Sequence, residues 1–248
     1  MDGFAVLLKK ELKQQVRTHR LLIVAAVFFF FGLGTPLMLH YLPQIVPQED
    51  MIAIPEFTAA DSVEGYLGNF GQIGLLAAIL MAMGAIARER ESGTTAMILS
   101  KPIGRGAFIA AKLAALAIIF AIGITLGGLG CYAYTLVIFG NPGGLHFFAA
   151  NLVAGLYLLI CLAVTLMFSS FFRSQLAAGG LALVLLIVMA ATAGLPIMEA
   201  YSPGALLMWS TEIAEGNWSM AWGALFVSLA VVGAAPAIGW QVFRRKDI

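Results

Sequence analysis

Few residues of this 248-residue chain have the types and spacing that enzyme chemistry requires. Cys131 and Cys161 both lie inside apolar runs, which indicates small buried hydrophobes rather than a disulfide or a metal site. The three histidines, His19, His40 and His146, show no ligand spacing. The sequence has no HExxH, no GxSxG, no aspartate pair for a metal and no phosphate-binding GxxxxGKS or GxxxxGKT loop. We therefore expect no catalytic residues, no bound metal and no ATP hydrolysis by this chain itself.

The one long charged interruption away from the termini is the stretch 87–112, ARERESGTTAMILSKPIGRGAFIAAK. It lies between two runs that each look able to cross a bilayer. We interpret it as a contact surface for a separate protein that supplies energy, and the rest of the chain as the scaffold that positions it.

Composition places the chain among membrane proteins. Of its residues, 61% are hydrophobic and 11% are charged, whereas an ordinary soluble domain has about 25% charged residues. The net charge of +1 says little, because the placement of charge matters more than its sum in such proteins. The sequence therefore predicts a polytopic membrane protein.

Apolar runs long enough to cross a hydrocarbon core of about 30 Å recur along the chain. They predict an all-α fold with a single transmembrane domain over 1–248. Asp61 and Glu64 resemble a capping box before the second span, and Ser202-Pro203 indicates a short outer helix before the last. The predicted spans cover about 21–41, 66–87, 107–130, 147–172, 176–195 and 220–242.

The third apolar run, Ala107 to about Phe139, is longer than a straight crossing needs. Gly127, Gly128 and Gly130 mark a place where it bends, or the helix simply projects outward. Glycines here, such as Gly123 and Gly127, serve either close approach of two chains or packing within one chain.

Charge placement fixes the expected topology. All 14 Lys and Arg residues fall on one side: five in 1–20, five in 88–112, one at Arg173 and three in 244–246. Eight of the 13 carboxylates lie in the two loops on the other side. The positive-inside rule then predicts six spans in three hairpins, in the cytoplasmic (inner) membrane, with both termini cytoplasmic.

Residues 1–20 predict an amphipathic helix that lies along the membrane surface. Apolar residues at three-and-four spacing form one face, and cations fill the other, toward anionic headgroups. The alternative is a disordered basic tail that only sets topology. The residues of this interfacial helix are Phe4, Leu8, Lys9, Lys10, Leu12, Lys13 and Arg17, with Leu7 and Val16 on the apolar face.

The spans have no ionisable residue near their middles, only at their ends, as at His40 and Lys112. Ion-coupled carriers, proton pumps and voltage sensors ordinarily need such groups within the bilayer. If the chain transports a substrate, we expect the energy to come from another protein.

The central stretch is longer than a connection requires. The connection at Arg173 needs a few residues, whereas this one uses about 19, from which we predict a charged turn, a break at Gly93 and a short apolar helix ending before Pro102. Exposed apolar residues at this position are unfavourable unless a groove on a partner protein covers them.

At these residues the sequence resembles the ABC-2 type transporter permeases, the membrane subunits of ABC exporters. The matching pattern is E-x-G-T, an apolar quartet and x-x-P, here Glu91 to Thr94, Ala96 to Leu99 and Pro102. The layout matches as well: an amphipathic N-terminal helix, six spans, a long first outer loop and a short outer helix before the last span.

The resemblance implies a coupling helix at 89–101 that docks on a separate nucleotide-binding ATPase subunit, which binds ATP and Mg. It also implies a transporter with two permease chains, identical or different, and two ATPase chains. Charge reversal at Glu89 or Glu91 is then expected to uncouple ATP hydrolysis from transport. The predicted coupling residues are Glu89, Arg90, Glu91, Gly93, Thr94, Met97, Ile98, Leu99 and Pro102.

Two other interpretations of the same stretch stay open. The chain is then either a non-transporting anchor or assembly factor that holds a cytoplasmic partner through this loop, or a membrane protein whose basic loop only sets topology. Co-purification of an ATPase subunit distinguishes these from the exporter.

Overall fold

The computed structural model describes residues 2–45, 56–93, 104–195, 197–198, 200–218 and 221–245. Within these ranges the chain forms α-helices and one short 3₁₀ turn, Thr192–Gly194, and no β-strand. The α-helices are α1 (Asp2–Arg17), α2 (Arg20–Ile45), α3 (Ala59–Ala82), α4 (Gly84–Glu91), α5 (Arg105–Ile138), α6 (Gly144–Phe171), α7 (Gln175–Ala191), α8 (Ala205–Ala214) and α9 (Trp222–Arg245).

Six segments of the described chain are long and apolar enough to cross a membrane: α2, α3 together with α4, α5, α6, α7 with the 3₁₀ turn, and α9. The prediction of an all-helical chain with six such segments is therefore confirmed. The long third run is one uninterrupted helix of 34 residues. The assignment of the whole chain to a single transmembrane domain stays a prediction.

The core of the bundle forms around α6, whose apolar span is the most buried of the six. Helices α3, α5, α7, α8 and α9 all pack against it. Large apolar side chains on the outer faces of the other spans are exposed, for example Phe30 on α2 and Leu80 on α3. Such outward apolar faces are what lipid contact requires. The bundle has two ends, and we call the one where α2 and α5 begin and α9 ends the basic end.

Helices α2 and α5 make the most extensive contact in the described chain. Glycines allow it: a Cβ at Gly32 would collide with the backbone carbonyl of Gly127, and a Cβ at Gly127 would lie 2.6 Å from the carbonyl oxygen of Phe28. A Cβ at Gly123 would likewise lie 2.7 Å from a carbon of the Phe28 ring. In this structure Gly123 and Gly127 therefore serve packing within one chain.

We expect Gly32→Ala to lower the unfolding free energy by about 1–3 kcal/mol, because the backbone it meets cannot move aside as a side chain can. Thermal unfolding of the detergent-purified chain measures this. Gly34→Ala is the matched control on the same helix, since a Cβ there has no neighbour within 4 Å. We expect that change to be neutral or stabilising. Equal unfolding midpoints for the two variants would contradict the packing of α2 on α5.

Polar side chains inside the bundle bond to one another across helices. Tyr66 on α3 donates from its hydroxyl to Asn151 Oδ1 on α6 at 2.9 Å, and the hydroxyls of Ser62 and Thr135 are 2.8 Å apart. Buried polar groups that bond to each other across helices stabilise the packing of those helices. These two pairs therefore have a structural role.

Two predicted helix starts differ from the observed ones. The capping box before α3 uses Thr58 as N-cap and Asp61 as its third residue, with the Thr58 amide donating to Asp61 Oδ2 at 2.6 Å. Threonine followed three residues later by a carboxylate satisfies the same rule, three residues earlier in the chain than the predicted pair. Similarly, α8 begins at Ala205, and Ser202 precedes it with its hydroxyl accepting from the Gly204 amide.

Candidate functional site

Helix α1 lies against the basic end of the bundle, packed on α5 and α2. The residues it buries there are Leu7, Glu11 and Gln15, each four positions from the last. That spacing places all three on one face of a helix. Phe4 and Val16, from the predicted apolar face, are exposed. The face that α1 packs on the bundle thus carries one apolar and two polar residues.

A buried charge cluster holds α1 in place. Lys112 on α5 donates to both oxygens of Glu11 at 3.2 Å and to Oε1 of Glu89 on α4 at 2.9 Å. Lys10 approaches the same carboxylates, with its Nζ 3.3 Å from Glu11 Oε1 and 3.9 Å from Glu89 Oε1. We call Lys10, Glu11, Glu89 and Lys112 the charge cluster.

Burial makes the cluster sensitive to the loss of any one charge. The side chains of Lys112, Glu11 and Glu89 are 3%, 6% and 14% exposed. Two cations and two carboxylates compensate one another, and the Lys112 ammonium also lies 4.9 Å from the centre of the Phe108 ring. Removing one partner of such a buried set leaves an unpaired charge, which costs about 3–5 kcal/mol.

The cluster joins three elements that are distant in sequence: α1, α4 and the first turns of α5. A separate apolar cluster surrounds the same junction. It includes Leu7 of α1, Ile86 of α4, Phe108 of α5 and Phe243 of α9. The junction is therefore fixed both by ion pairs and by side-chain packing.

Helix α4 follows α3 after an interruption of the helix at Met83. Ser169 of α6 lies beside this interruption. Its hydroxyl donates to the Met83 carbonyl at 2.8 Å and accepts from the amides of Ile86 and Ala87, each at 3.0 Å. One side chain thus provides hydrogen-bond partners for three backbone groups where the helix is interrupted. This contact ties the start of α4 to the end of α6.

Both ends of the segment between α4 and α5 are anchored to neighbouring helices. Arg90 donates to the Ser170 carbonyl of α6 at 3.0 Å. Arg105, the first residue of α5, donates to the carbonyls of Phe243 and Arg244 on α9, at 3.3 and 2.8 Å. A force on this segment would therefore reach α6 and α9 as well as α5.

The structure separates the predicted coupling residues into three groups. Glu89 is partly buried in the charge cluster, and Arg90 is partly buried against α6. Glu91 and Gly93 are exposed at the end of α4, and Gly93 has a φ of 71°, a conformation that glycine adopts readily. The remaining predicted residues lie outside the described ranges: Thr94, Met97, Ile98, Leu99 and Pro102.

Among the predicted residues of the interfacial helix, Lys9, Lys13 and Arg17 are exposed, and Lys10 belongs to the charge cluster. The two leucines are partly buried: Leu8 packs at the apolar junction beside the cluster, and Leu12 also faces partly inward. Phe4 is exposed. Whether this helix lies on a membrane surface stays a prediction.

Sequence reasoning missed Glu11, Gln15 and Ser169 and treated Lys112 only as a residue that enters a span. Two signals were present. Glu11 is the only acid between the cations of α1 and shares the spacing of Leu7, and Lys112 is the only cation in the apolar run 107–139. Within the described ranges, no three His, Cys, Asp or Glu residues are placed to hold a metal ion.

Nearly the whole chain is similar to known proteins. Its residues 5–248 match the model of a family described as "ABC-2 family transporter protein". The chain is also 25% identical over 180 residues to the "Uncharacterized transmembrane protein YxlG" of Bacillus subtilis (strain 168), an alignment that covers 70% of each chain.

Proposed function

The chain belongs to the ABC-2 family of transporter proteins, and we propose that it is the permease subunit of an ATP-driven exporter. Family membership and the six apolar helices support a multi-pass membrane subunit of an ABC transporter. The direction of transport, export, is inferred from the resemblance of the sequence to the permeases of ABC exporters. ATP and Mg belong to a separate ATPase subunit in this proposal.

The observation that carries the proposal is the anchoring of the charged segment. Exposed Glu91 stands at the end of α4, where Glu89 is paired to Lys112 of α5 and Arg90 bonds to α6. A partner that binds at Glu91 contacts the end of a helix that these bonds hold to the bundle. We propose that the segment 89–101 is the docking helix for the ATPase, that this end of the bundle and both termini are cytoplasmic, and that the membrane is the inner membrane.

The proposed mechanism transmits motion through this junction. Closure of two ATPase subunits on ATP displaces the docked segment, and α4 moves with it. Because Glu89 is paired to Lys112 and Ser169 bonds the start of α4, the displacement reaches the first turns of α5 and the end of α6. These spans then tilt and change the substrate path between two permease chains.

Co-purification tests the proposed function. The tagged chain is extracted from its native membrane in mild detergent, and the associated chains are identified and assayed for ATP hydrolysis. We expect an ATPase subunit in a one-to-one ratio with the permease and a total mass that fits two copies of each. A partner without a nucleotide site would contradict the exporter and favour the non-transporting anchor instead.

A further inference from the structure

A polar cleft opens beside the charge cluster, between α1, α4 and the first turns of α5. Its volume is about 380 Å³, which lies within the range of about 300–1,000 Å³ typical of small-molecule sites. Arg20 and Arg88 line it, and neither makes an ion pair with any described residue. The four cations in its lining exceed the two carboxylates, so the cleft is net positive.

Two buried oxygens in the lining lack hydrogen-bond partners in the described chain: Oε1 of Gln15 and Oε2 of Glu89. Gln15 is 6% exposed. Both atoms are acceptors only, and a buried acceptor without a donor costs about 1–3 kcal/mol. A ligand that carries both negative charge and hydrogen-bond donors therefore complements the cleft best.

These requirements restrict the ligand. A phosphate group suits the guanidinium groups of Arg20 and Arg88. A phosphate alone brings acceptors and leaves Gln15 and Glu89 unsatisfied. A primary ammonium brings three N–H donors and a positive charge that the Glu89 carboxylate attracts. A quaternary choline ammonium has the charge but no N–H donor.

We propose that this cleft binds the phosphoethanolamine headgroup of a membrane lipid. The lipid source follows from position: the cleft lies where α2 and α5, both of span length, begin. Helix α1, which forms one wall, exposes Phe4, Val6 and Val16. The proposal needs a membrane protein but does not depend on the docking of an ATPase.

Native mass spectrometry of the full-length chain in detergent tests the proposal. The chain is titrated with phosphatidylethanolamine, phosphatidylcholine and phosphatidylglycerol that have the same acyl chains. We expect phosphatidylethanolamine to bind roughly tenfold more tightly than phosphatidylcholine, because only its ammonium donates to the two acceptors. Equal affinities for these two lipids, or equal affinities for phosphatidylethanolamine and phosphatidylglycerol, would overturn the assignment of the ammonium.

Three variants sharpen the test. Gln15→Leu keeps the size of the side chain and removes one unsatisfied acceptor, so it should reduce the preference severalfold without lowering the unfolding temperature. Arg88→Gln should weaken the binding of both zwitterionic lipids equally. Arg244→Gln is the matched control at the same end, outside the cleft lining. Retention of the full preference in Gln15→Leu would overturn the site.

A water-soluble ligand with the same headgroup distinguishes a lipid site from a site for a soluble phosphoamine. Glycerophosphoethanolamine carries the phosphate and the ammonium without acyl chains. We expect it to bind at least tenfold more weakly than the lipid, because it lacks the apolar part. Binding as tight as that of the lipid would show a site for a soluble phosphoamine and overturn the lipid assignment.

Discussion

Lys112→Met is expected to lower the unfolding free energy of the chain by about 3–5 kcal/mol. The change removes the cation that Glu11 and Glu89 share, at a position 3% exposed to solvent. The two carboxylates are then left close together with Lys10, whose side chain is 42% exposed, as their remaining partner. Thermal unfolding in detergent and the amount of chain recovered from membranes both measure the effect.

A second variant separates the lost ion pairs from the altered shape of the residue. Combining Lys112→Met with Glu11→Gln and Glu89→Gln leaves no buried charge without a partner, because the remaining cation, Lys10, is 42% exposed to solvent. Most of the lost stability should therefore return. Arg244→Met is the matched control for the loss of an exposed cation at the same end. A single Lys112→Met variant as stable as the unchanged chain would contradict the cluster. So would a triple variant that stays as unstable as the single one.

Glu91→Lys is expected to weaken association of the ATPase subunit by roughly tenfold and to uncouple its hydrolysis from transport. Glu91 is exposed at the end of α4 and makes no ion pair with the described residues. Reversing its charge should therefore change a partner contact and leave the fold intact. The ATPase rate of the co-purified complex and the unfolding temperature of the permease are measured together.

The structure makes Glu91 a better probe of docking than Glu89. The sequence suggested either residue, but Glu89 belongs to the charge cluster, so its reversal would also disturb α1 and α5. Glu64→Lys is the matched control, because Glu64 is exposed on α3 at the opposite end of the bundle. Unchanged association and coupling in Glu91→Lys would place the ATPase contact elsewhere. The same loss in Glu64→Lys would indicate a general effect of charge.

The six spans were predictable because each needs only about 20 consecutive apolar residues, a local property of the chain. The first residues of α3 and α8 were less predictable. Thr58 and Asp61 form the cap of α3, yet Asp61 and Glu64 show the same spacing in sequence. A choice between overlapping caps depends on where the incoming chain arrives, and that depends on the rest of the fold.

The charge cluster was the hardest feature to predict because its members are far apart along the chain. Glu11 and Lys112 are separated by 101 residues and meet only because α1 packs across the start of α5. In sequence, Lys112 looked like the cation that ends a loop, and Glu11 looked like one polar residue among many on α1. Their burial as a pair is a tertiary property that helical periodicity alone does not determine.

Ser169 illustrates the same limit. A serine near the end of an apolar helix commonly bonds to a carbonyl of its own helix. Here its hydroxyl bonds to Met83, Ile86 and Ala87 of a different segment. The contact fixes the direction in which α4 leaves the bundle, and with it the position of Glu91.

Site-specific photocrosslinking tests the proposed docking of an ATPase at residues 89–101 most directly. Benzoylphenylalanine is placed at Ile98 within the proposed docking segment, or at Ile197, an isoleucine 89% exposed in the connection between α7 and α8. In native membranes, Ile98 is expected to crosslink to the nucleotide-binding subunit, and Ile197 is not. Crosslinking of the ATPase from Ile197, or its absence from Ile98 while the complex still co-purifies, would contradict the proposed coupling site.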